Sequence, residues 1–374
     1  MIERDILSFV REKLFQGKAL IVFGARQTGK TTLVNMLLDK IDYKSIIFNG
    51  DEPDIRDLLS NTTSTRLKSL IGNKEIVIID EAQRISDIGL TIKLIVDNLP
   101  EIQVIATGSS SFELSGVIKE PLTGRKYEYI LLPLSFSEMT SHHGVIEEKR
   151  LLEHRLIFGY YPEIVTTMGQ EKELLHLLTD SYLYKDLFLL EQVKKPQLFE
   201  KIAKSLAFQI GNEVSYNEIA QLVGADNETV EKYIDLLEKA FIVFRLPALK
   251  RNMRNEIKRG MKVYFYDNGI RNSLISNFNL ANTRTDIGHL WENFVVSERR
   301  KYLNNKRIYA NTFFWRTLQG QEIDYIEEID GKFTAYEIKW SKERPSKQIK
   351  SFIEGYKVDK INTINPDNIA TYLI

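Results

Sequence analysis

A chain of 374 residues is longer than one hydrophobic core usually serves, which predicts two or three domains. Its 43% hydrophobic and 27% charged residues are an ordinary balance for a folded protein, and 51 basic against 51 acidic residues exclude any global attraction to nucleic acid or an anionic membrane. The absence of cysteine excludes disulfides and thiolate metal sites and fits a reducing compartment. Met1 to Lys18 is charged and lacks the apolar core of a signal peptide. No apolar run approaches the roughly 20 residues needed to cross a bilayer. The expectation is a soluble, cytoplasmic protein without membrane contact.

The first apolar run, Ala19 to Phe23, predicts a buried parallel strand. Gly24-Ala25-Arg26-Gln27-Thr28-Gly29-Lys30-Thr31 follows, then a periodic helix from Thr32 to Leu38. Strand, glycine-bounded loop, Lys-Thr and helix stand in the order of a Walker A loop. Its glycines let the backbone curl so that N–H groups face phosphate oxygens, and the helix N-terminus adds a favourable dipole. Gly24 to Thr32 are therefore the expected nucleotide-binding residues. Lys30 is expected at the β- and γ-phosphates, and the Thr31 hydroxyl on Mg²⁺.

Between this loop and the next acidic strand, Tyr43 to Asn49 predicts an additional strand closing with Asp51. Glu75 to Glu81 predicts a buried strand ending in two carboxylates. Asp80 is the expected second holder of Mg²⁺, and Glu81 stands where a base orients an attacking water. ATP and Mg²⁺ are thus the expected ligands. A further strand, Ile102 to Ala106, runs into Thr107-Gly-Ser-Ser110. These small polar residues, Thr107 foremost, either sense the γ-phosphate or cap the following segment. Arg125, just ahead of a strand from Tyr127 to Leu132, is either an arginine finger, within its own subunit or across an interface, or an ordinary surface arginine.

The Gly24–Thr31 loop, Ile-Asp-Glu-Ala-Gln83, Thr-Gly-Ser109, Leu-Thr-Gly-Arg125 and Leu132-Pro-Leu-Ser-Phe-Ser-Glu138 resemble the prokaryotic AAA-type P-loop ATPases that carry a C-terminal domain of unknown function, the AAA_14 and DUF4143 pairing. Gly159-Tyr-Tyr-Pro-Glu163, Tyr184-Lys-Asp186 and Trp291-Glu-Asn-Phe294 extend the resemblance over nearly the whole chain. Where that family often has two glycines before the proline, this chain has Tyr160 and Tyr161 in the adjoining places. The resemblance implies ATP binding and hydrolysis but brings no defined biological role.

From Glu147 to about Ala207 apolar residues recur at helical spacing, punctuated by Pro162 and Pro196, which predicts a helical lid. His142 and His143 are expected in a loop, with no third ligand for a zinc site. Ser215-Tyr-Asn-Glu218 is a capping box, Gly224 a turn, and Asn227 to Leu237 a second helix at helix-turn-helix spacing. A strand from Phe241 to Leu246, a basic stretch from Arg245 to Lys262 and a strand from Val263 to Tyr266 then complete a winged-helix-like domain. Its second helix carries Asp226, Glu228, Glu231 and Asp235 against Lys232, which is poor for a phosphate-lined groove. The basic stretch, with Glu256 its one acid, either contacts DNA by itself or serves as a docking surface.

Near the C-terminus, Gln321 to Ile329 and Lys332 to Trp340 read as two strands around Asp330-Gly331, a pair that favours a two-residue type I′ hairpin. In that register Asp324 falls opposite Glu337, and Glu322 opposite Lys339. Glu337 and Lys339 share one face. Facing carboxylates repel unless a cation or proton separates them, so a divalent metal is expected, with Lys339 orienting a water. The arrangement resembles the PD-(D/E)xK nuclease core, with Glu292, on a helix from Gly288 to Ser297, as its extra acid.

These readings together predict an α/β chain: a P-loop NTPase (AAA-like) parallel sheet over 1–146, a helical lid over 147–206, a winged-helix-like domain over 207–262 and a restriction-endonuclease-like α/β domain over 263–374. The expected function is ATP binding and hydrolysis coupled to a C-terminal half that engages DNA, a protein or another copy of the chain. The alternatives are an ATP-gated metal-dependent nuclease and a non-hydrolysing nucleotide-bound scaffold; the carboxylate of Glu81 argues against the scaffold.

Overall fold

Apolar residues at consecutive positions suit strands buried on both faces, and five such strands form one parallel sheet. In the computed structural model, which describes residues 1–109, 122–180, 195–249, 260–317, 320–341 and 348–374, they are β1 (Ala19–Phe23), β2 (Ser45–Asn49), β3 (Ile76–Asp80), β4 (Gln103–Gly108) and β5 (Lys126–Ile130). Ser110, Tyr184-Lys-Asp186 and most of the basic stretch lie outside the described residues. The strand order is β2-β3-β4-β1-β5, and every pairing is parallel. Leu20 and Val22 of β1, Ile78 of β3 and Ile105 of β4 share a core with Leu33, Val34 and Leu37 of the helix Lys30–Leu38. This is the P-loop NTPase fold. Because β4 lies between β1 and β3, the carboxyl ends of all three strands stand side by side, and Thr107 is part of β4 itself.

By its contacts the chain divides into two units, the first chiefly Glu3–Leu132 and the second chiefly Pro133–Glu238 with Ile242–Ile374. The second unit opens with the helix Phe136–His143. Ser135 caps it by accepting from the Glu138 N–H, while the Glu138 carboxylate reaches back to the Ser135 N–H. His142 and His143 therefore end a helix and do not lie in a loop. The capping box hidden in Leu-Ser-Phe-Ser-Glu138 starts the helical region earlier than its apolar spacing suggests. The helices Val145–Arg150, Leu152–Phe158, Pro162–Thr166, Glu171–Thr179 and Pro196–Phe208 follow, with prolines at the first turn of two of them.

The Gly159-Tyr160-Tyr161-Pro162 segment has a structural account. The buried Asp267 carboxylate accepts from the N–H of Tyr160 at 2.6 Å and from those of Gly269 and Ile270 at 2.9 and 3.2 Å. A Cβ on Gly159, whose φ is +75°, would sit 2.0 Å from Asp267 Oδ1, so only glycine fits there.

The helices Tyr216–Val223 and Asn227–Lys239 flank Gly224, which takes the left-handed conformation at φ 73°. Strands β6 (Val243–Pro247) and β7 (Met261–Phe265) pair antiparallel beyond them. The helix Ile287–Asn305 extends past both expected ends of its reading, and a four-stranded sheet follows in the order β11-β10-β9-β8. Its strands are β8 (Asn311–Arg316), β9 (Glu322–Ile329), β10 (Lys332–Ile338) and β11 (Ile361–Ile364). Asp330 and Gly331 both have positive φ, 50° and 77°, as the two-residue turn requires. The expected register holds from Lys332↔Ile329 to Tyr336↔Tyr325. Among the described residues no helix is long and apolar enough to cross a membrane.

At the start of the helix Ile287–Asn305, Asp286 is gripped by Arg271 at 2.7 Å and Arg284 at 2.8 Å. Burial raises the pKa of its carboxyl, but the hydrogen bonds from Arg284 and the charge of Arg271 prevail and bring it down to about 2. A depressed acid stabilises the fold above its unfolded pKa and loses that contribution as pH falls through the folded one. Asp286→Asn should therefore cost about 2 kcal/mol or more near pH 7. In urea titrations over a pH series, its deficit against wild type should shrink between about pH 4 and pH 2.

Candidate functional site

The turn after β1 is packed so tightly that a Cβ on Gly24 would lie 2.2 Å from the Leu131 carbonyl oxygen. Gln27 at φ 58° and Gly29 at φ 90° curl the chain before the helix Lys30–Leu38 begins. Thr28 Oγ1 donates to the Ala25 carbonyl at 2.9 Å, and buried Arg4 clamps the loop from below. Its guanidinium donates to the Thr28 carbonyl at 2.8 Å and to that of Leu132 at 2.6 Å. Nothing in the sequence marks Arg4, because its partners are loop carbonyls as far as 128 positions away.

Lys30 is only 6% exposed, and its ammonium donates to the carbonyls of Gly24 at 3.1 Å and Ala25 at 2.9 Å. Burial pulls its pKa down to about 8, even though the charges of Glu81 and Asp80 work the other way. A desolvated cation at a helix N-terminus, hydrogen-bonded to neutral carbonyl oxygens, suits an anion.

Asp80, at the end of β3, is joined to both neighbouring segments. Its Oδ2 accepts from Thr31 Oγ1 at 2.9 Å, and its Oδ1 accepts from Thr107 Oγ1 and from the Glu81 N–H. Thr31, Asp80 and Thr107 thus form one hydrogen-bonded row across the strand ends. Hydroxyl and carboxylate oxygens of this kind suit a hard divalent cation, so the residues present fit Mg²⁺. Glu81 takes a left-handed backbone at φ 49°, where a Cβ on Gly50 would meet the Glu81 carbonyl oxygen at 2.4 Å. Gln83 Nε2 donates to the Glu81 carboxylate and, at 3.1 Å, to Ser109 Oγ. The motif Asp-Glu-Ala-Gln83 quotes this glutamine, yet only the fold reveals that it joins Glu81 to the end of β4. Arg125 forms a surface ion pair with Asp97 at 2.6 Å.

The C-terminal acids gather around a residue that the sequence counted elsewhere. Lys262, on β7, is 2% exposed, and its Nζ lies 2.9 Å from Glu292 Oε1 and 2.7 Å from Glu322 Oε1. The Tyr264 hydroxyl donates to the same Glu292 oxygen at 2.5 Å. Glu322 therefore engages Lys262 and does not face Lys339. The β9–β10 ladder stops at Tyr325↔Tyr336, short of the expected Glu322–Lys339 pair, and Glu322 is opposite Arg316 of β8 instead. Lys339 pairs with Glu337 at 2.8 Å, as two side chains on one strand face can. Asp324 Oδ2 accepts from the Ile338 N–H at 2.6 Å. Burial, reinforced by the charge of Glu292, pushes the Asp324 carboxyl up to about 7. Among the described residues no group of three or more His, Asp or Glu is placed to hold a metal ion. At the other end of the basic stretch Arg245 is bonded to Asp235 and Glu238, so both described ends are engaged with carboxylates.

Residues 16–140 match the family model of the AAA domain, and 287–369 match that of the domain of unknown function DUF4143. The chain thus carries an AAA-type P-loop domain followed by a C-terminal DUF4143 domain. Residues 149–281 of this DUF4143 protein match a second domain of unknown function, DUF8612. An uncharacterized protein of Mycobacterium tuberculosis is 26% identical over 341 residues, covering 90% of this chain and 73% of that protein. One of Methanocaldococcus jannaschii is 24% identical over 389 residues, covering 97% and 84%. Among solved structures, the Walker-type ATPase of Pyrococcus abyssi is 15% identical, with a TM-score of 0.49 over 74% of this chain and 96% of its own.

Removing the buried ammonium separates folding from ligand binding. Lys30→Met should leave the nucleotide-free DUF4143 protein at least as stable as wild type, because a desolvated charge is lost. The rise in melting temperature that Mg²⁺-ATP gives wild type should be absent from the variant. Thermal unfolding with and without nucleotide checks both.

Proposed function

We propose that this protein binds Mg²⁺-ATP at Gly24–Thr32 and hydrolyses it, and that the nucleotide cycle changes how its C-terminal half engages a partner. The hydrogen-bonded row Thr31–Asp80–Thr107 beside buried Lys30 carries the reading. In it, the backbone N–H groups of the loop and the Lys30 ammonium hold the β- and γ-phosphates in a Walker A arrangement. Thr31 and Asp80, the Walker B acid, would hold Mg²⁺, which when bound would neutralise charge on the phosphate oxygens. Glu81 orients the attacking water and accepts its proton. Gln83 fixes the Glu81 carboxylate and links it to Ser109, so a change at the end of β4, where Thr107 meets Asp80, reaches the base through one side chain. Arg125 pairs with Asp97 on the surface, and no step of this mechanism is assigned to it.

For the partner, the helix Asn227–Lys239 in its winged-helix-like setting exposes Glu228 and Glu231, with Asp226 exposed just ahead of it. Arg245 and Lys262, which the sequence offered to DNA, are occupied by carboxylates. Such a face favours a basic protein surface or another copy of the chain over a phosphate backbone.

Single-turnover phosphate release tests the mechanism. Glu81→Gln should bind Mg²⁺-ATP within about threefold of wild type while its turnover falls by about 10² to 10⁴, the usual contribution of a positioned base. Added duplex DNA should leave the wild-type rate unchanged. Equal rates for wild type and variant would remove Glu81 from the mechanism, and stimulation by DNA would redirect the partner to nucleic acid.

A further inference from the structure

Acids expected to face each other on β9 and β10 suggest a metal-dependent nuclease, but the paired ladder stops at Tyr325↔Tyr336, and the cation beside Glu292 and Glu322 belongs to the chain. We propose that the Lys262 ammonium is the resident cation of the Glu292–Glu322–Asp324 cluster, standing where a divalent metal would otherwise sit, so that this domain acts by binding and not by metal-dependent phosphodiester cleavage.

Several independent observations fix the ammonium there. Two of its three N–H donors are taken by Glu292 Oε1 at 2.9 Å and Glu322 Oε1 at 2.7 Å, on separate elements. Its remaining side lies over the Phe314 ring, 5.4 Å from the centroid, a contact that a cation favours. Lys262 is the second residue of β7, in ladder with Leu246 of β6, and the neighbouring Met261 carbonyl accepts from the Val214 N–H. The side chain thus leaves a fixed strand and ends in the cluster with 2% exposure.

Charge and hydrogen bonding complete the case. The Lys262 ammonium is matched by two carboxylates within hydrogen-bond distance, Glu292 and Glu322. Glu292 spends the same oxygen on the Tyr264 hydroxyl, and Asp324 spends Oδ2 on the Ile338 N–H. A divalent ion needs its oxygens at about 2.0 to 2.6 Å and would have to expel a buried like charge to reach them. Lys339, paired with Glu337, adds a second positive charge whose field reaches Asp324.

Mn²⁺ is the probe, with bound ion counted by electron paramagnetic resonance on the full-length, nucleotide-free protein. Wild type and Asp324→Asn should take up equal amounts. Lys262→Ala should gain Mn²⁺, and Lys262→Ala with Asp324→Asn should lose the gain. In wild type, Lys262 should resist acetylation by acetic anhydride equally with and without Mn²⁺, as read by peptide mass spectrometry. Uptake by wild type that Asp324→Asn abolishes, or acetylation of Lys262 that Mn²⁺ promotes, would overturn the proposal. So would a folded Lys262→Ala that takes up nothing extra. If that variant does not fold, the two wild-type measurements decide the matter.

Discussion

One carboxylate, that of Asp80, ties the proposed nucleotide site together. It binds hydroxyls from both flanking segments, Thr31 at the first turn of its helix and Thr107 at the end of β4. That geometry is possible only because β4 is inserted between β1 and β3, which brings three strand ends that are far apart in sequence to one edge. Open parallel sheets place ligands at such crossover points, outside the carboxyl ends of their strands. The close approaches at Gly24 and Gly50 belong to the same constraint, since the turns after β1 and β2 must run against the neighbouring strand ends.

The second unit is organised by buried charge. Glu148, fully buried, meets Arg155 at 3.3 Å and the Tyr160 hydroxyl at 2.5 Å. Glu298 meets Lys301 at 2.6 Å and the Phe136 N–H at 2.7 Å, and Arg299 meets Glu327 at 2.7 Å. Such pairs add little net stability over apolar residues of the same shape, but breaking one leaves an uncompensated charge that is costly. They select one arrangement of helices over its competitors. The Lys262 cluster follows the same logic at the junction of β7, β9 and the helix Ile287–Asn305.

What the sequence displays is what depends on neighbours along the chain. The loop from Gly24 to Thr31 is legible because its chemistry is contiguous, and the Asp330-Gly331 turn because two residues suffice to set the local register. Arg4, Gln83 and Lys262 escape because their partners are remote in sequence or are carbonyls with no identity of their own. Lys262 misleads for a definite reason: it closes a run of basic residues, and only the fold turns its side chain inward. The Glu322–Lys339 pairing failed likewise because β8 and β7 compete for Glu322, and neither is visible from the hairpin alone.

The account rests on the strand-end row being a site of ATP turnover. Steady-state phosphate release under saturating Mg²⁺-ATP, by wild type and Lys30→Ala in parallel, tests that claim most directly. The account predicts release by wild type that vanishes in the variant. Release no faster from wild type than from Lys30→Ala would contradict it and leave a nucleotide-bound scaffold in its place.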